Sequence, residues 1–317
     1  MNDADGNPVD TVLRDELARA DRALGGVAPV LAHVLASSGH ALVNDAIVAR
    51  VRGMLSDMSV QLVNRLPDPV LERITEQDEP VDRLVERLAN DTPTLAHVHA
   101  IAMEGVLTDR LDQRASIDPI LSPLSQELIA SHEETTAETA MLALAAQSRF
   151  MQAQRRMQYP VLELPAEALE RVMRLWARST PMEHEAAVTE AMRELKADYD
   201  EAQSRGGLIA RLVASMRGGV VAALELEHAG LALFVSALAH RTGQSRDRAV
   251  LACHEMQAVR LAVSLRAAGL DATAIERQFL VLESQSNVPH QFVELTADAA
   301  LAMLQDSEGF TYADGHR

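Results

Sequence analysis

The chain has 317 residues, of which 48% are apolar and 24% charged, so it can bury a sizeable core and is not disordered throughout. Aromatic residues make up only 3%, while the helix formers Ala and Leu exceed a quarter of the chain, which argues against an all-β fold. The formal net charge of −17 opposes binding to nucleic acids and to anionic membranes, because proteins hold the phosphates of both through Lys and Arg.

Short polar residues followed by proline recur along the chain and predict where helices begin. The polar side chain can accept a hydrogen bond from the first helical turn, and proline at the first helical position lacks only an N–H that has no helical partner. At the last of these pairs, Glu183 follows the cap by three residues and indicates a capping box. The pairs are Asn7-Pro8, Thr92-Pro93, Asp118-Pro119, Ser122-Pro123 and Thr180-Pro181.

Apolar residues at three- and four-residue steps predict amphipathic helices. No sustained period-two alternation occurs, so we expect a dozen or more helices joined by short loops. Three stripes carry this expectation: Ile47, Val51, Met54, Met58 and Leu62; Ala137, Met141, Leu144, Ser148 and Met151; and Ala258, Leu261, Leu265 and Ala268.

Glycines predict the helix breaks and help to divide the chain. Breaks are expected at Gly25-Gly26, Ser38-Gly39, Gly206-Gly207, Gly218-Gly219, Thr242-Gly243 and Gly269. The segment that begins Arg205-Gly-Gly returns twelve residues later at Arg217-Gly-Gly, which either suits stacked helical hairpins or reflects chance. We predict an acidic helical region at 1–90, a helical domain at 91–305 and a frayed tail at 306–317. Prolines near 160, or the change of charge balance near 205, mark a subdivision of the helical domain.

The expected fold is all-α, with stacked helical hairpins in a HEAT-like α-solenoid. A closed multi-helix bundle is the alternative, because both architectures use the same apolar stripes. Two stretches, over roughly residues 90–305, resemble a family of alphaproteobacterial proteins known only as a domain of unknown function with all-helical, HEAT-like architecture. The resemblance implies a fold and transfers no site residue, because that family has no established activity. Its motifs are Ala145–Met157 with Leu162–Pro165, and Leu231–Phe234 through Ala237–Ala239, Thr242-Gly243, Arg248–Val250 and Leu261-Ala262 to Arg266–Asp271.

Motifs for catalysis and cofactor binding are absent from the sequence: there is no P-loop, dinucleotide-binding glycine motif, nucleophile elbow or two-histidine zinc motif. We therefore predict no catalytic residue and no cofactor. Glu225-Leu-Glu-His228 would place a carboxylate and an imidazole on one helix face, and these two residues are the candidates for a metal site. A di-iron bundle needs two such motifs, and only one is present.

Other titratable residues could take part in chemistry or have an ordinary structural role. A metal site at Glu225 and His228 could recruit His254 and Glu255, which follow Cys253, or His290 and Glu294; alternatively these residues cap helices or face solvent. His97 and His99 would point about 200° apart on a helix and could not share a metal. His33, His40 and His132 are candidates for phosphotransfer, although the usual signature is missing around His40. Cys253 is expected to be a buried, inert thiol, and Trp176 a core anchor.

The compartment is predicted from what the sequence lacks. Cys253 is the single cysteine, so no intrachain disulfide can form. The polar, acidic residues 1–10 differ from a signal peptide, and no run of 18 apolar residues appears. A cytoplasmic protein is the expectation.

Charge distribution leads to the expected function. Residues 1–110 carry 10 basic and 18 acidic side chains, a net of −8, and residues 111–204 carry 9 and 16, a net of −7. Residues 205–305 carry 9 of each and are the better candidate for self-association. We expect a non-catalytic protein–protein interaction scaffold whose acidic surface favours a partner with a basic segment. The alternatives are a metal-dependent helical enzyme using Glu225 and His228, and a regulatory or phosphorelay helper.

Overall fold

The computed structural model of the protein describes residues 8–36, 45–68, 70, 79–282 and 294–313. All regular secondary structure in these ranges is helical, and no strand occurs within them, which confirms the all-α prediction. The α-helices are α1 (Pro8–Ala36), α2 (Asp45–Val63), α3 (Pro80–Ala89), α4 (Thr92–Ala115), α5 (Pro123–Ile129), α6 (Glu134–Arg155), α7 (Ala166–Ser179), α8 (Glu185–Asp198), α9 (Arg205–Ser215), α10 (Leu226–Thr242), α11 (Arg246–Ala252), α12 (Ala258–Ala267), α13 (Ala272–Val281) and α14 (Ala297–Ala313). Short 3₁₀-helices span Val161–Glu163, Met182–His184, Glu201–Gln203, Arg217–Leu224 and Glu255–Gln257.

The length and the hydropathy of a helix decide whether it can cross a membrane. Over the described ranges, no single helix is long and apolar enough to cross a bilayer. One pair passes by length and composition when its members are taken together: Arg205–Ser215 and Arg217–Leu224, which are bent by 116° at the break between them.

The chain forms two compact units, and each is built from separated stretches of sequence. Unit 1 comprises Met1–Val27, Val106–Ala140 and Leu212–Arg317, and unit 2 comprises Ala28–Gly105 and Met141–Arg211, each over the parts that the structure describes. The helices α1, α4, α6 and α9 each run from one unit into the other.

Unit 2 packs its helices in a series in which α2 contacts α3, α3 contacts α7 and α7 contacts α8. The predicted stripe of α2 is buried along its whole length, from Ile47 to Leu62. Trp176 of α7 is 1% exposed, as expected for a core anchor. At about 25 cal/mol per Å² of apolar area, burial of such large side chains is the main stabilising contribution to these helix contacts.

Unit 1 is organised around α10, which contacts α5, α11, α12, α13 and the 3₁₀-helix Arg217–Leu224. Nearly all of its residues from Leu231 to Leu238 are buried, as in a helix surrounded by others. The predicted stripe of α12, Ala258 to Ala268, is buried as well. Gly230 interrupts α10 with φ 69° and ψ 163°, and a side chain there would approach the Ser122 Cβ to 3.2 Å.

The buried face of α6 differs from the predicted stripe. Met141 is 53% exposed and Leu142 is 40% exposed, although both are large and apolar. The buried positions hold small side chains and glutamines instead: Thr136, Ala140, Ala143, Ala146, Gln147 and Gln154, together with Phe150 and Met151. The inner face of α6 therefore combines small and amide side chains with the large apolar Phe150 and Met151, and it shares only Met151 with the predicted stripe.

Substitutions on the two faces of α6 should therefore change the free energy of unfolding by different amounts. Met141→Gln should change the free energy of unfolding by less than about 0.5 kcal/mol, because the side chain is exposed. Ala143→Met should destabilise by about 1–3 kcal/mol, because Ala143 is 6% exposed and the added atoms overpack the site. Urea unfolding followed by circular dichroism measures both, and a larger loss at Met141 than at Ala143 would contradict this account.

Helix starts follow the predicted caps in part. Ser122 caps α5, accepting a hydrogen bond from the Ser125 N–H at 3.2 Å, as predicted. For α4 the predicted cap was wrong by one residue: Asp91 Oδ2 accepts from the Thr94 N–H at 3.1 Å. Asp118 accepts from the N–H groups of residues 120 and 121, both at 2.8 Å, and so stabilises a turn rather than a helix start.

The capping box predicted at Thr180 and Glu183 is wrong. Thr180 is the C-cap of α7, its hydroxyl donates to the Trp176 carbonyl at 3.2 Å, and the 3₁₀-helix that follows has no side-chain cap. A 3₁₀ turn follows before α8 begins at Glu185. Asn7 lies outside the described residues, although α1 begins at Pro8 as predicted.

The glycines predicted to break helices lie at helix ends, at helix starts and, in one case, inside a helix. Gly243 and Gly269 follow α10 and α12 with φ 73° and 101°, as predicted for breaks. Gly25-Gly26 was predicted wrongly, since it lies inside α1, and Gly39 falls outside the described residues. The pairs of the Arg-Gly-Gly echo lie in the first turns of α9 and of Arg217–Leu224, so they open helices rather than separate them.

Of the four glycines in the two Arg-Gly-Gly segments, only Gly207 lies where a side chain would clash with neighbouring atoms. A Cβ on Gly207 would lie 2.0 Å from the Glu201 carbonyl oxygen, whereas the nearest atom to one on Gly206 is Ser204 Oγ at 3.9 Å, and both Gly218 and Gly219 have open space. The start of α9 is therefore pressed against the preceding 3₁₀ turn at this single position.

Alanine at these adjacent glycines gives a matched pair of variants. Gly207→Ala should destabilise by about 1–3 kcal/mol, since backbone must move to admit the methyl group. Gly206→Ala should be neutral or stabilising by up to about 1 kcal/mol, because alanine favours the helical state. Thermal unfolding of the two proteins provides the comparison, and equal melting temperatures would count against the close contact.

Candidate functional site

Glu225 and His228, the predicted metal-site pair, have different partners in the structure. Glu225 precedes α10 with an extended backbone, φ −99° and ψ 107°, and its carboxylate lies 3.2 Å from Arg277 Nη1. His228 Nε2 lies 3.4 Å from the Glu127 carboxylate. Each residue thus has a separate partner within unit 1: a guanidinium for Glu225 and a carboxylate for His228.

No ligand set for a metal accompanies this pair in the part of the chain that is described. Over those ranges, no group of three or more His, Cys, Asp or Glu side chains is close enough to hold an ion. His290 lies outside them, and Glu294 is exposed.

Cys253 and His254 occupy the end of α11 in unit 1. The Cys253 thiol is buried, as expected, and donates to the Ala249 carbonyl at 3.4 Å. Burial lowers the pKa of His254; Glu255 opposes this shift and Arg110 adds to it. A neutral imidazole beside a hydrogen-bonded thiol is consistent with a structural role.

The remaining candidate histidines are dispersed. His97 Nε2 lies 2.9 Å from the Tyr159 hydroxyl, which donates to the Glu163 carbonyl at 3.2 Å. His99 is buried, and His132 is exposed. The side chain of His33 and all of His40 lie outside the described residues.

A buried ion pair in unit 2 was not anticipated. Glu104 of α4 is 0% exposed and Arg205 of α9 is 5% exposed. Arg205 Nη1 donates to Glu104 Oε1 at 3.1 Å, Nη2 donates to the same oxygen, and the guanidinium lies 3.7 Å above the Phe150 ring. The Arg205 amide donates to Glu163 Oε2 at 2.6 Å. A signal existed: Glu104 is the one charged residue in the apolar run from Leu95 to Leu107.

The burial of this pair excludes it from ligand binding and makes it a structural link between α4 and α9. Two charges taken out of water are costly, and their attraction with further hydrogen bonds offsets that cost only while both are present. Removing one partner takes from the other, which stays buried, the counter-charge of this pair.

The Glu104–Arg205 pair can be tested by substitution. Glu104→Ala should lower the free energy of unfolding by about 3–5 kcal/mol, because Arg205 remains buried and loses this counter-charge. The double variant Glu104→Leu with Arg205→Met should lose much less than the sum of the single losses. Urea unfolding of the wild type, Glu104→Leu, Arg205→Met and the double variant gives the coupling, and additive losses would show that the pair does not act as a unit.

An open cleft lies between α3 and α7 of unit 2, with a volume of about 430 Å³. We call it the α3–α7 cleft, and its lining is mostly charged or polar. Leu175 of α7 is its apolar wall, and the other lining residues are Arg83, Glu86, Arg87, Asn90 and Asp91.

Several groups in the α3–α7 cleft already have partners. Arg83 Nη1 donates to the Ser179 carbonyl at 3.4 Å. Asp91 Oδ2 accepts from the Thr94 N–H and hydroxyl, and Arg171 Nε lies 4.0 Å from it. Arg87 is exposed and makes no ion pair or hydrogen bond through its side chain to any described residue. The cleft therefore contains two carboxylates, Glu86 and the hydrogen-bonded Asp91, and the guanidinium of Arg87, which has no side-chain partner among the described residues.

A second charged feature lies in unit 1, along residues 115–140, which we call the acidic segment. It contains no Lys or Arg. Its glutamates at 127, 133, 134 and 138 are all exposed, at the end of α5 and the start of α6. The Glu133 carboxylate accepts from the Thr136 hydroxyl at 3.0 Å, and Glu127 faces His228.

Comparison of the chain with protein-family models, with curated proteins and with solved structures gives no match.

Proposed function

We propose that this protein is a non-catalytic interaction scaffold that binds a partner through the acidic segment. The observation that carries the proposal is a run of 26 residues, 115–140, with exposed glutamates and no Lys or Arg, in a chain of net charge −17. A partner with a segment rich in Lys and Arg would complement this surface.

Electrostatics would act mainly on the rate and selectivity of such binding. Exposed carboxylates attract a basic segment over about one Debye length, roughly 8 Å at physiological ionic strength, and repel acidic competitors. Each exposed ion pair adds only about 0.2–1 kcal/mol, so several must form together. Association should therefore weaken steeply as salt is added.

The wider architecture that we propose is a stack of helical hairpins like that of HEAT repeats, in a cytoplasmic protein of the helical family that the sequence resembles. Helices joined by short connections support it, as do apolar stripes on α2 and α12 that are buried against neighbouring helices. Residues 205–305 have no net charge and are the part that we propose for self-association.

Binding through the acidic segment is tested with paired baits. Wild-type protein and the variant Glu127→Gln, Glu133→Gln, Glu134→Gln and Glu138→Gln are immobilised and exposed to a lysate of the source organism. Carbodiimide then joins bait carboxylates to partner lysines in contact with them. In the absence of carbodiimide, the four substitutions should weaken retention of the partner about tenfold, because four modest ion pairs are lost.

A second quadruple variant provides the control. Glu183→Gln, Glu185→Gln, Glu190→Gln and Glu194→Gln removes the same charge from exposed positions of unit 2. It should retain the partner, with cross-links still in residues 115–140. Equal retention by both variants, or cross-links confined to other residues, would overturn the proposal.

A further inference from the structure

We propose that the α3–α7 cleft is a binding site for the oxyanion group of a small ligand, a carboxylate or a phosphate, held by Arg87 together with Arg83. The site is in unit 2 and is independent of the acidic segment.

Helix geometry brings the two arginines together. Residues 83 and 87 are four apart on α3, so they are neighbours on one face of that helix, and both line the cleft. Two like charges at this spacing destabilise a helix by about 0.2–0.5 kcal/mol, and a bound anion would convert the repulsion into attraction to both guanidinium groups. Each guanidinium carries a planar set of donors that matches the two oxygens of a carboxylate or phosphate.

The lining of the cleft carries equal numbers of charges of each sign: Arg83 and Arg87, and Glu86 and Asp91. Asp91 accepts two hydrogen bonds from Thr94 and lies 4.0 Å from Arg171, which also lies 3.4 Å from the Glu167 carboxylate. Arg87 makes no side-chain ion pair or hydrogen bond to any described residue, so its donors are available to an oxyanion. Binding would therefore depend on the directional hydrogen bonds of this guanidinium rather than on a net positive charge of the cleft.

Size and shape favour a small ligand. A volume of about 430 Å³ lies within the range of about 300–1,000 Å³ that is typical of small-molecule sites. Leu175 supplies an apolar wall against which a short carbon chain can rest, and Asn90 adds a polar side chain at the rim. The anionic group would lie at the arginines, and the remainder of the ligand against Leu175.

The test is titration of the full-length protein with three probes, inorganic phosphate, pyrophosphate and succinate, by isothermal calorimetry at low and moderate salt. At least one probe should bind with one site per chain. Arg87→Ala should weaken that binding about tenfold or more, which corresponds to the loss of one charge-assisted pair of hydrogen bonds. Arg87→Lys keeps the charge but not the fork and should fall between the two.

Arg174→Ala is the matched control. Arg174 is an exposed arginine of α7 next to Leu175 in sequence, but it does not line the cleft. Its loss removes the same charge and should change the affinity by less than about twofold, since only screened, long-range attraction is lost. Both alanine variants replace exposed side chains, and unchanged melting temperatures would show that they fold.

The outcomes separate clearly. Preference for phosphate or pyrophosphate identifies a phosphorylated ligand, and preference for succinate identifies a carboxylate. Binding that falls equally in the Arg87→Ala and Arg174→Ala proteins would show general attraction of anions and overturn the site. Absence of binding by all three probes at millimolar concentration would overturn it as well.

Discussion

The buried pair of Glu104 and Arg205 joins α4 and α9 in unit 2. A carboxylate with no exposure must meet a counter-charge, and here that charge comes from a residue 101 positions later in the chain. Arg205 can reach Glu104 only if α9 begins where it does, with its first amide on Glu163 and with Gly207 against the Glu201 carbonyl. The first Arg-Gly-Gly segment is therefore explained by one ion pair and one close backbone contact, which the second segment does not require.

Sequence periodicity could predict the elements in which hydrophobic burial dominates, and it was less reliable where close packing or hydrogen bonding decides. The stripes of α2 and α12 and the anchor Trp176 are large apolar surfaces, so their burial follows from composition alone. On α6 the large apolar Met141 is exposed while small residues such as Ala143 and Ala146 are buried, which periodicity of hydrophobicity did not indicate. Thr180 is the C-cap of α7 and not the first cap of a new helix, and this depends on where α7 stops.

The candidate sites could be predicted only in part for a related reason. Arg83, Arg87 and the acidic residues are visible in the sequence, and net charge describes their long-range field. Which charges neutralise one another is decided at a few ångströms, by contacts such as that of Arg171 with Asp91, and these need the pairing of α3 with α7. Since salt screens exposed charges beyond about 8 Å, an arginine available to an anion and an acidic segment can coexist in one chain.

The Glu-x-x-His pattern shows how far spacing alone can be taken. Residues three apart share a face only when both lie within a helix, and Glu225 is the extended residue before α10. Its carboxylate therefore diverges from the first turn and meets Arg277, while His228, inside the helix, faces Glu127. In this chain the pattern spans a helix start, and its two side chains have separate partners. In unit 1 Glu225 pairs with Arg277 and His228 contacts Glu127 of α5, so the zero net charge of residues 205–305 conceals an ionic contact made within them.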